Sequence, residues 1–78
     1  MPVTTLADLG VDASARVARV EGAPALRRRL LEMGVLPGTV LRVVRVAPLG
    51  DPLVVRLRGY ELSLRHDDAR AVAVEKLA

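Results

Sequence analysis

Apolar residues along this chain come in short groups separated by glycine and proline. Between these breaks, leucine, valine and alanine alternate with arginine and other polar residues. Short segments bounded by turn-forming residues are typical of a small β-rich domain. The breaks stand at Gly22-Ala23-Pro24, Gly34, Pro37-Gly38, Pro48, Gly50-Asp51-Pro52 and Gly59.

One segment, Pro24–Met33, follows a helical pattern instead. Leu26, Leu30 and Met33 fall at positions i, i+4 and i+7, so we expect them to form one stripe that faces a core. Pro24 suits the first helical position, where a backbone N–H would have no partner within the helix.

Glycines define the turns that follow the helix. Gly34 stands where a helix needs a left-handed residue at its C-terminal end, and Pro37-Gly38 fits the centre of a type II turn. Gly34 and Gly38 are therefore expected at positive φ, where a side chain is costly. Gly59 and Tyr60 are predicted to form a tight turn between two strands.

The remaining apolar groups predict five strands and two single helical turns, the first of which Thr5 is expected to cap. The strand Thr39–Ala47 carries apolar residues on both faces, which indicates either a bulge or two apolar surfaces. The strands are predicted at Ala15–Val20, Thr39–Ala47, Leu53–Arg58, Glu61–Arg65 with Leu62 and Leu64 inward, and Ala71–Glu75, and the helical turns at Thr5–Gly10 and Asp67–Arg70.

Five short strands in a chain of 78 residues can bury a core only by curling into a small barrel. Curling also reduces the number of exposed strand edges. A chain of this length forms one domain at most. We therefore predict a single, mainly β domain over residues 1–78, with one inserted α-helix and one or two short helical turns.

The composition indicates the cellular compartment and excludes some kinds of covalent cross-link and metal site. The sequence contains no cysteine, which excludes disulfides and cysteine-based metal sites. A secreted domain of this size would usually need disulfides, so we expect a reducing cytoplasm. The N-terminus lacks the features of a signal peptide, and no apolar run approaches the roughly 20 residues of a membrane span.

The positive charge is unevenly distributed along the chain. The net charge is +3, and residues 14–58 hold nine arginines against Glu21, Glu32 and Asp51. This imbalance predicts a basic part of the surface. Such a surface is either a solvated arginine-rich face or one that attracts an acidic partner.

Three motifs in register resemble the FeoA family. They are an arginine–leucine helix ending in Gly34-Val35-Leu36-Pro37-Gly38, a loop Pro48-Leu49-Gly50-Asp51-Pro52, and a strand Gly59-Tyr60-Glu61-Leu62-Ser63-Leu64-Arg65. The resemblance covers essentially the whole chain. It implies an SH3-like β-barrel with a helix inserted after the first strand. It also implies a cytoplasmic partner of FeoB, a membrane protein with a GTPase domain that transports ferrous iron.

The arginines of the helix have two interpretations. Arg27 and Arg28 are candidates for binding a partner, since guanidinium groups pair with carboxylates or phosphates in a forked geometry. Alternatively, they belong to a solvated helix face whose stems cover apolar surface. Arg29 is expected to brace the fold, because the family pattern places an arginine directly before the core Leu30.

The proline-rich loop is the other candidate for a partner surface. Two prolines stiffen it and lower the entropy lost when it is ordered on binding, and Leu49 would be an apolar anchor at its tip. Gly50 and Asp51 belong to the same candidate surface. The alternative is a plain hairpin connection in which Asp51 forms a side-chain turn.

His66 and Asp67 are weak metal candidates, because imidazole and carboxylate groups suit Fe(II) or Zn(II). Adjacent residues rarely converge on one ion, and a complete site needs more ligands than these. No cofactor is therefore expected, and at most a divalent transition metal would bind weakly.

These features predict a non-enzymatic interaction module, and the resemblance to the FeoA family implies a role in iron homeostasis. The sequence holds no cysteine nucleophile and no phosphate-binding glycine loop. An alternative is a basic barrel that binds nucleic acid, but Tyr60 is the only aromatic residue and offers little for base stacking. A further alternative is a regulatory domain like that of iron-dependent repressors, although no helix-turn-helix segment precedes Thr5. The oligomeric state is left open.

Overall fold

Six antiparallel strands form one sheet in the order β1-β6-β2-β3-β4-β5. The structure is a computed structural model that describes residues 3–77. The strands are β1 (Val3–Thr5), β2 (Ser14–Val20), β3 (Val40–Val46), β4 (Leu53–Leu57), β5 (Tyr60–Leu64) and β6 (Val72–Leu77), and the helices are α1 (Pro24–Glu32) and α2 (His66–Ala69).

The sheet curls into a small barrel around one apolar core, as the sequence predicts. The described residues extend over 28 × 27 × 24 Å, which a flat six-stranded sheet would not do. Between residues 3 and 77, the edge strands β1 and β5 do not pair, so backbone hydrogen bonds do not close the barrel. The core includes Leu6, Ala15, Val17, Leu30, Val35, Leu41, Val43, Val55, Leu57, Leu64, Val72 and Val74.

The first strand is the main departure from the sequence prediction of five strands. Val3–Thr5 forms β1 because β6 offers it an antiparallel partner, with Thr5 opposite Ala73. The predicted helical turn is present but shorter, as a 3-10 turn at Leu6–Asp8. Thr5 does not cap this turn, because its side chain accepts no hydrogen bond from a backbone N–H of the turn. Its hydroxyl instead donates a hydrogen bond to Asp8 at 3.0 Å.

The helix α1 has the predicted core stripe. Leu30 is fully buried, and Leu26 and Met33 are partly buried against the same core. The helix ends in a Schellman motif, in which the N–H of Gly34 bonds the carbonyl of Leu31, and the next N–H reaches Leu30. Gly34 has a φ of 96°, as predicted.

The turns after α1 agree with the sequence at Pro37-Gly38 and differ at the next hairpin. Gly38 has a φ of 90°, and the N–H of Thr39 donates to the carbonyl of Leu36 at 3.0 Å, which closes the predicted turn. The hairpin between β4 and β5 turns one residue earlier than predicted, at Arg58-Gly59. Tyr60 is already the first residue of β5, opposite Leu57.

A bulge, one of the two predicted explanations, accounts for the irregular apolar pattern of β3. The register of β3 against β4 shifts between Val43 and Arg45, as a bulge does. Apolar residues also appear on both faces, since Val40 and Val46 are exposed. Downstream, Leu64 is buried and Leu62 partly buried, in line with the predicted inward face.

Two further boundaries shift slightly. The helical turn predicted at Asp67–Arg70 is α2, which begins at His66 and ends at Ala69. The last strand extends to Leu77 rather than ending at Glu75. Within the described residues, no helix combines the length and the apolar character that crossing a bilayer requires.

Candidate functional site

The loop between β3 and β4 presents an uncovered leucine. Pro48–Gly50 forms a 3-10 turn, and Leu49 at its centre is fully exposed. Leu49 also has a φ of 70°, in the left-handed region that a leucine rarely adopts. Two backbone hydrogen bonds hold the loop, from Ala47 N–H to Pro52 at 2.9 Å and from Gly50 N–H to Ala47 at 2.8 Å.

Asp51 fastens this loop to the neighbouring helix. Its carboxylate accepts a hydrogen bond at 3.1 Å from the backbone N–H of His66, the first residue of α2. Arg65, the residue before α2, makes no capping hydrogen bond through its side chain, so Asp51 caps the helix from a distant part of the chain. The peptide bond between Asp51 and Pro52 is cis. Asp51 therefore has a structural contact, although the sequence placed it in a partner surface.

The three arginines of α1 have different surroundings. Arg29 pairs with Asp68 of α2 at 3.2 Å, the kind of contact expected of a residue that braces the fold. Arg27 and Arg28 instead border a groove between α1 and β2. Among residues 3–77, neither of these two forms an ion pair with a carboxylate.

The structure does not unite the two candidate surfaces. The groove beside Arg27 and Arg28 is bordered by residues of β2, α1 and the turn at Pro37. The loop that carries Leu49 lies at the opposite end of β3 from that turn. The sequence candidates therefore form two separate surfaces: the Leu49 loop (Pro48–Asp51) and the α1 groove.

The metal candidates do not converge with other ligands. His66 and Asp67 are consecutive residues of the four-residue helix α2, and Asp67 lies 3.7 Å from Arg70. The next carboxylate, Asp68, faces Arg29. In the described part of the chain, no three His, Asp or Glu side chains come together as metal ligands.

Carboxylates on the barrel surface are held by arginines and hydroxyls. Glu61 of β5 accepts hydrogen bonds from Arg56 at 2.7 Å and from Arg45 at 3.1 Å. These contacts lower the pKa of Glu61 below its usual value, and the hydrogen bond from Arg56 has the largest effect. Hydrogen bonds from Thr4 and Thr5 lower the pKa of Asp8 in the same way.

Sequence reasoning missed part of the α1 groove. Leu31 lies off the core stripe of α1 and is 40% exposed, and it lines the groove with Val20, Pro24 and Pro37. The available signal was an apolar residue directly after Leu30, on a face that the stripe leaves outside the core.

The connectivity of the curled six-stranded sheet, with α1 inserted between β2 and β3, defines a small protein of the SH3-like barrel class. Its exposed features are an apolar loop tip and an arginine-bordered groove. The chain belongs to the FeoA family, since the family model described as FeoA domain matches residues 4–76.

One curated relative contains a similar domain within a fusion protein. Over 73 residues, the chain is 41% identical to the Fe(2+) transport protein A/Fe(2+) transporter FeoB fusion protein of Porphyromonas gingivalis. The match covers 94% of this chain and 9% of the fusion protein, so the chain corresponds to a small part of that relative.

Solved structures of similar proteins share the fold. The FeoA-like protein of Clostridium acetobutylicum superposes with a TM-score of 0.92 at 33% identity, covering 100% of this chain and 91% of that one. FeoA of Stenotrophomonas maltophilia, solved with zinc, has a TM-score of 0.82 at 36% identity, covering 92% and 89%. That protein is described as an SH3 domain protein and as a candidate activating factor of ferrous iron transport.

Proposed function

We propose that this chain is a cytoplasmic accessory protein of ferrous iron uptake that acts by binding the cytosolic part of a FeoB-type membrane GTPase. The Porphyromonas gingivalis relative supports the pairing, because a FeoA-like and a FeoB part are joined there in one chain. Covalent linkage raises the effective concentration of two parts that bind each other. The activating role suggested for the Stenotrophomonas maltophilia relative points the same way.

The single observation that carries the proposal is the exposure of Leu49. A fully exposed leucine at positive φ is unfavourable twice over, since it leaves apolar surface in water and strains the backbone by about 1–2 kcal/mol. The backbone hydrogen bonds of the loop keep Leu49 in place without the partner. A preordered apolar tip loses little entropy on binding, which favours a role as an anchor.

The chain is proposed to act without catalysis of its own. The sequence has no cysteine, and its single histidine, His66, lies in the short helix that Asp51 caps. Guanine nucleotide would be bound by the partner, and a divalent transition metal would bind this chain weakly at most. Such a protein reaches the membrane only through its partner.

The direct test is co-purification. The untagged chain is passed over the immobilised cytosolic part of a FeoB-type protein from the same genome, with GTP, with GDP and without nucleotide. Retention in at least one nucleotide state is the expected result. Failure to bind in all three states contradicts the proposal.

Substitution at the loop tip tests whether Leu49 is the contact. Leu49→Asp should abolish retention and leave the melting temperature nearly unchanged, because the side chain makes no core contact. Val11→Asp is the matched control, since Val11 is an exposed apolar residue on a different loop, and this variant should bind as the wild type does. Undiminished retention of Leu49→Asp would assign the contact to another surface.

A further inference from the structure

The α1 groove is an apolar depression with a basic border. It has a volume of about 610 Å³ between α1, the end of β2 and the turn that follows the helix. Its apolar lining comes from Val20, Pro24, Leu31 and Pro37, and its charged lining from Arg19, Arg27, Arg28 and Glu32.

The groove is lined by three arginines and one carboxylate, that of Glu32, so its charges are unbalanced in favour of cations. Arg19 forms an ion pair with Glu21, with 2.5 Å between Nε of the arginine and Oε2 of the glutamate. Arg27 and Arg28 form no ion pair within residues 3–77 and stand exposed on the helix surface. Two neighbouring guanidinium groups beside apolar surface complement a ligand that carries both carboxylates and an apolar side chain.

One wall of the groove is a strand edge without a neighbour. Strand β2 pairs with β3 only over Ser14–Arg16, and the last contact on that side joins Val17 to the turn before β3. Farther along, Arg19 and Val20 pair with β6 alone. An unpaired edge of this kind accepts an extended segment by backbone hydrogen bonding.

We propose that the α1 groove binds an extended, acidic segment of a partner protein, with an apolar side chain against Leu31 and Val20 and carboxylates on Arg27 and Arg28. The segment would run along the free edge of β2. Charge complementarity selects an acidic ligand, and the apolar lining distinguishes it from a purely ionic one.

This inference rests on the proposed function only for the class of partner, a protein. It concerns a different surface from the Leu49 loop and can be tested without any FeoB-type protein. A failed co-purification would therefore contradict the proposed function alone, and a failed peptide titration would contradict the groove alone.

The probe is a fluorescein-labelled synthetic peptide in which glutamate and leucine alternate, titrated with the full chain and followed by fluorescence anisotropy. Saturable binding that weakens as sodium chloride is raised is expected. A peptide in which lysine and leucine alternate, and one in which glutamate and serine alternate, should each bind at least about tenfold more weakly.

Variants assign the binding to the groove. Leu31→Asp, and separately the double substitution Arg27→Glu with Arg28→Glu, should each weaken the glutamate–leucine peptide by about tenfold or more. The double substitution Arg58→Glu with Arg65→Glu is the charge-matched control for the arginine pair, because both residues are exposed arginines outside the groove, and this variant should bind as the wild type does. Thermal melting monitored by circular dichroism verifies that each variant is folded.

Amide NMR shifts supply a readout that does not depend on a variant. Addition of the peptide should shift the signals of Arg19, Val20 and Leu31 and leave that of Leu49 unchanged. The proposal is overturned if the peptide does not bind saturably, if the lysine peptide binds as tightly, or if the shifts fall elsewhere. Binding of single-stranded oligothymidylate without binding of the acidic peptide would assign the groove to nucleic acid and would equally overturn it.

Discussion

A Cβ atom added to Gly34 would lie 2.6 Å from the hydroxyl oxygen of Tyr60. Gly34 follows the last turn of α1, and Tyr60 is the first residue of the edge strand β5. The hydroxyl of Tyr60 donates a hydrogen bond to the carbonyl of Met33. A glycine at this position therefore both ends the helix and lets the edge strand approach it.

Gly34→Ala is expected to destabilise the fold by more than about 2 kcal/mol. Its φ of 96° alone is worth about 1–2 kcal/mol against a residue with a Cβ, and Tyr60 would have to move and give up its hydrogen bond. Gly38→Ala is the matched control, because Gly38 has a φ of 90° and no atom within 4 Å of its Cβ position. Chemical denaturation measures both.

The contact with Tyr60 can be isolated by a double-mutant cycle. Tyr60→Phe should be less destabilising in the Gly34→Ala background than in the wild type. In that background the added Cβ atom already clashes with the hydroxyl, so removing the hydroxyl also removes the clash. Equal losses for Gly34→Ala and Gly38→Ala, or a cycle without coupling, would show that Tyr60 has no part in selecting the glycine.

Two adjacent leucines of α1 should respond very differently to truncation. Leu30 is fully buried in the core, whereas Leu31 is 40% exposed in the groove. Leu30→Ala should lower the free energy of unfolding by about 2–5 kcal/mol, and Leu31→Ala should change it by about 0.5 kcal/mol or less. Urea titration compares them directly. A loss below about 1 kcal/mol for Leu30→Ala would mean that the helix faces the core differently.

The core side of α1 was predictable because it depends on local spacing. The pattern of apolar residues and the glycine after the helix both act within a few residues, so the sequence predicts Leu30 inward and Gly34 left-handed. The strand β1 was not predictable in the same way. Three residues carry too little periodicity, and Val3–Thr5 is extended only because β6, from the other end of the chain, pairs with it.

In the candidate surfaces, too, features that depend on neighbouring residues were predictable, and contacts between distant segments were not. The sequence predicts an exposed Leu49, since the prolines and glycine around it are local signals for a loop. It does not predict that Asp51 caps α2 or that Arg29 pairs with Asp68, because those contacts join segments far apart in the chain. Whether a given arginine is paired depends on such contacts, and the structure identifies Asp68 as the partner that distinguishes Arg29 from Arg27 and Arg28.

Thr39 offers a way to stabilise the protein. Its hydroxyl is buried, with no hydrogen-bond partner among the residues that the structure describes. Thr39→Val removes that unsatisfied group and keeps a β-branched side chain, so the free energy of unfolding should rise by about 1 kcal/mol. Thr5→Val should instead lower it slightly, because the hydroxyl of Thr5 bonds Asp8. A destabilised Thr39→Val would show that the hydroxyl has a partner in solution.

The contacts of Glu61 predict a pH-dependent contribution to stability. Hydrogen bonds from Arg56 and Arg45 lower the pKa of Glu61 in the folded state from its usual 4.5. A carboxyl with a lowered folded-state pKa stabilises the fold above its unfolded-state pKa and loses that contribution as the pH falls through the folded-state value. Glu61→Gln should therefore lower the melting temperature at pH 7, and the difference from wild type should shrink as the pH drops below 4.5.

Glu32→Gln is the control for this measurement, since Glu32 forms no ion pair within residues 3–77. Its effect on the melting temperature should be small and nearly constant over the same pH range. A difference between Glu61→Gln and wild type that does not vary with pH would contradict the assignment.

The pairing of the first and last strands has a consequence for how the domain is used. Val3 lies directly opposite Glu75, so the chain enters and leaves the barrel at neighbouring points. A domain with adjacent ends can be spliced into a larger polypeptide, or attached to one at either end, without displacing its strands. The same geometry makes the chain a good subject for circular permutation, with the old ends joined by a short linker and new ones opened in an exposed turn.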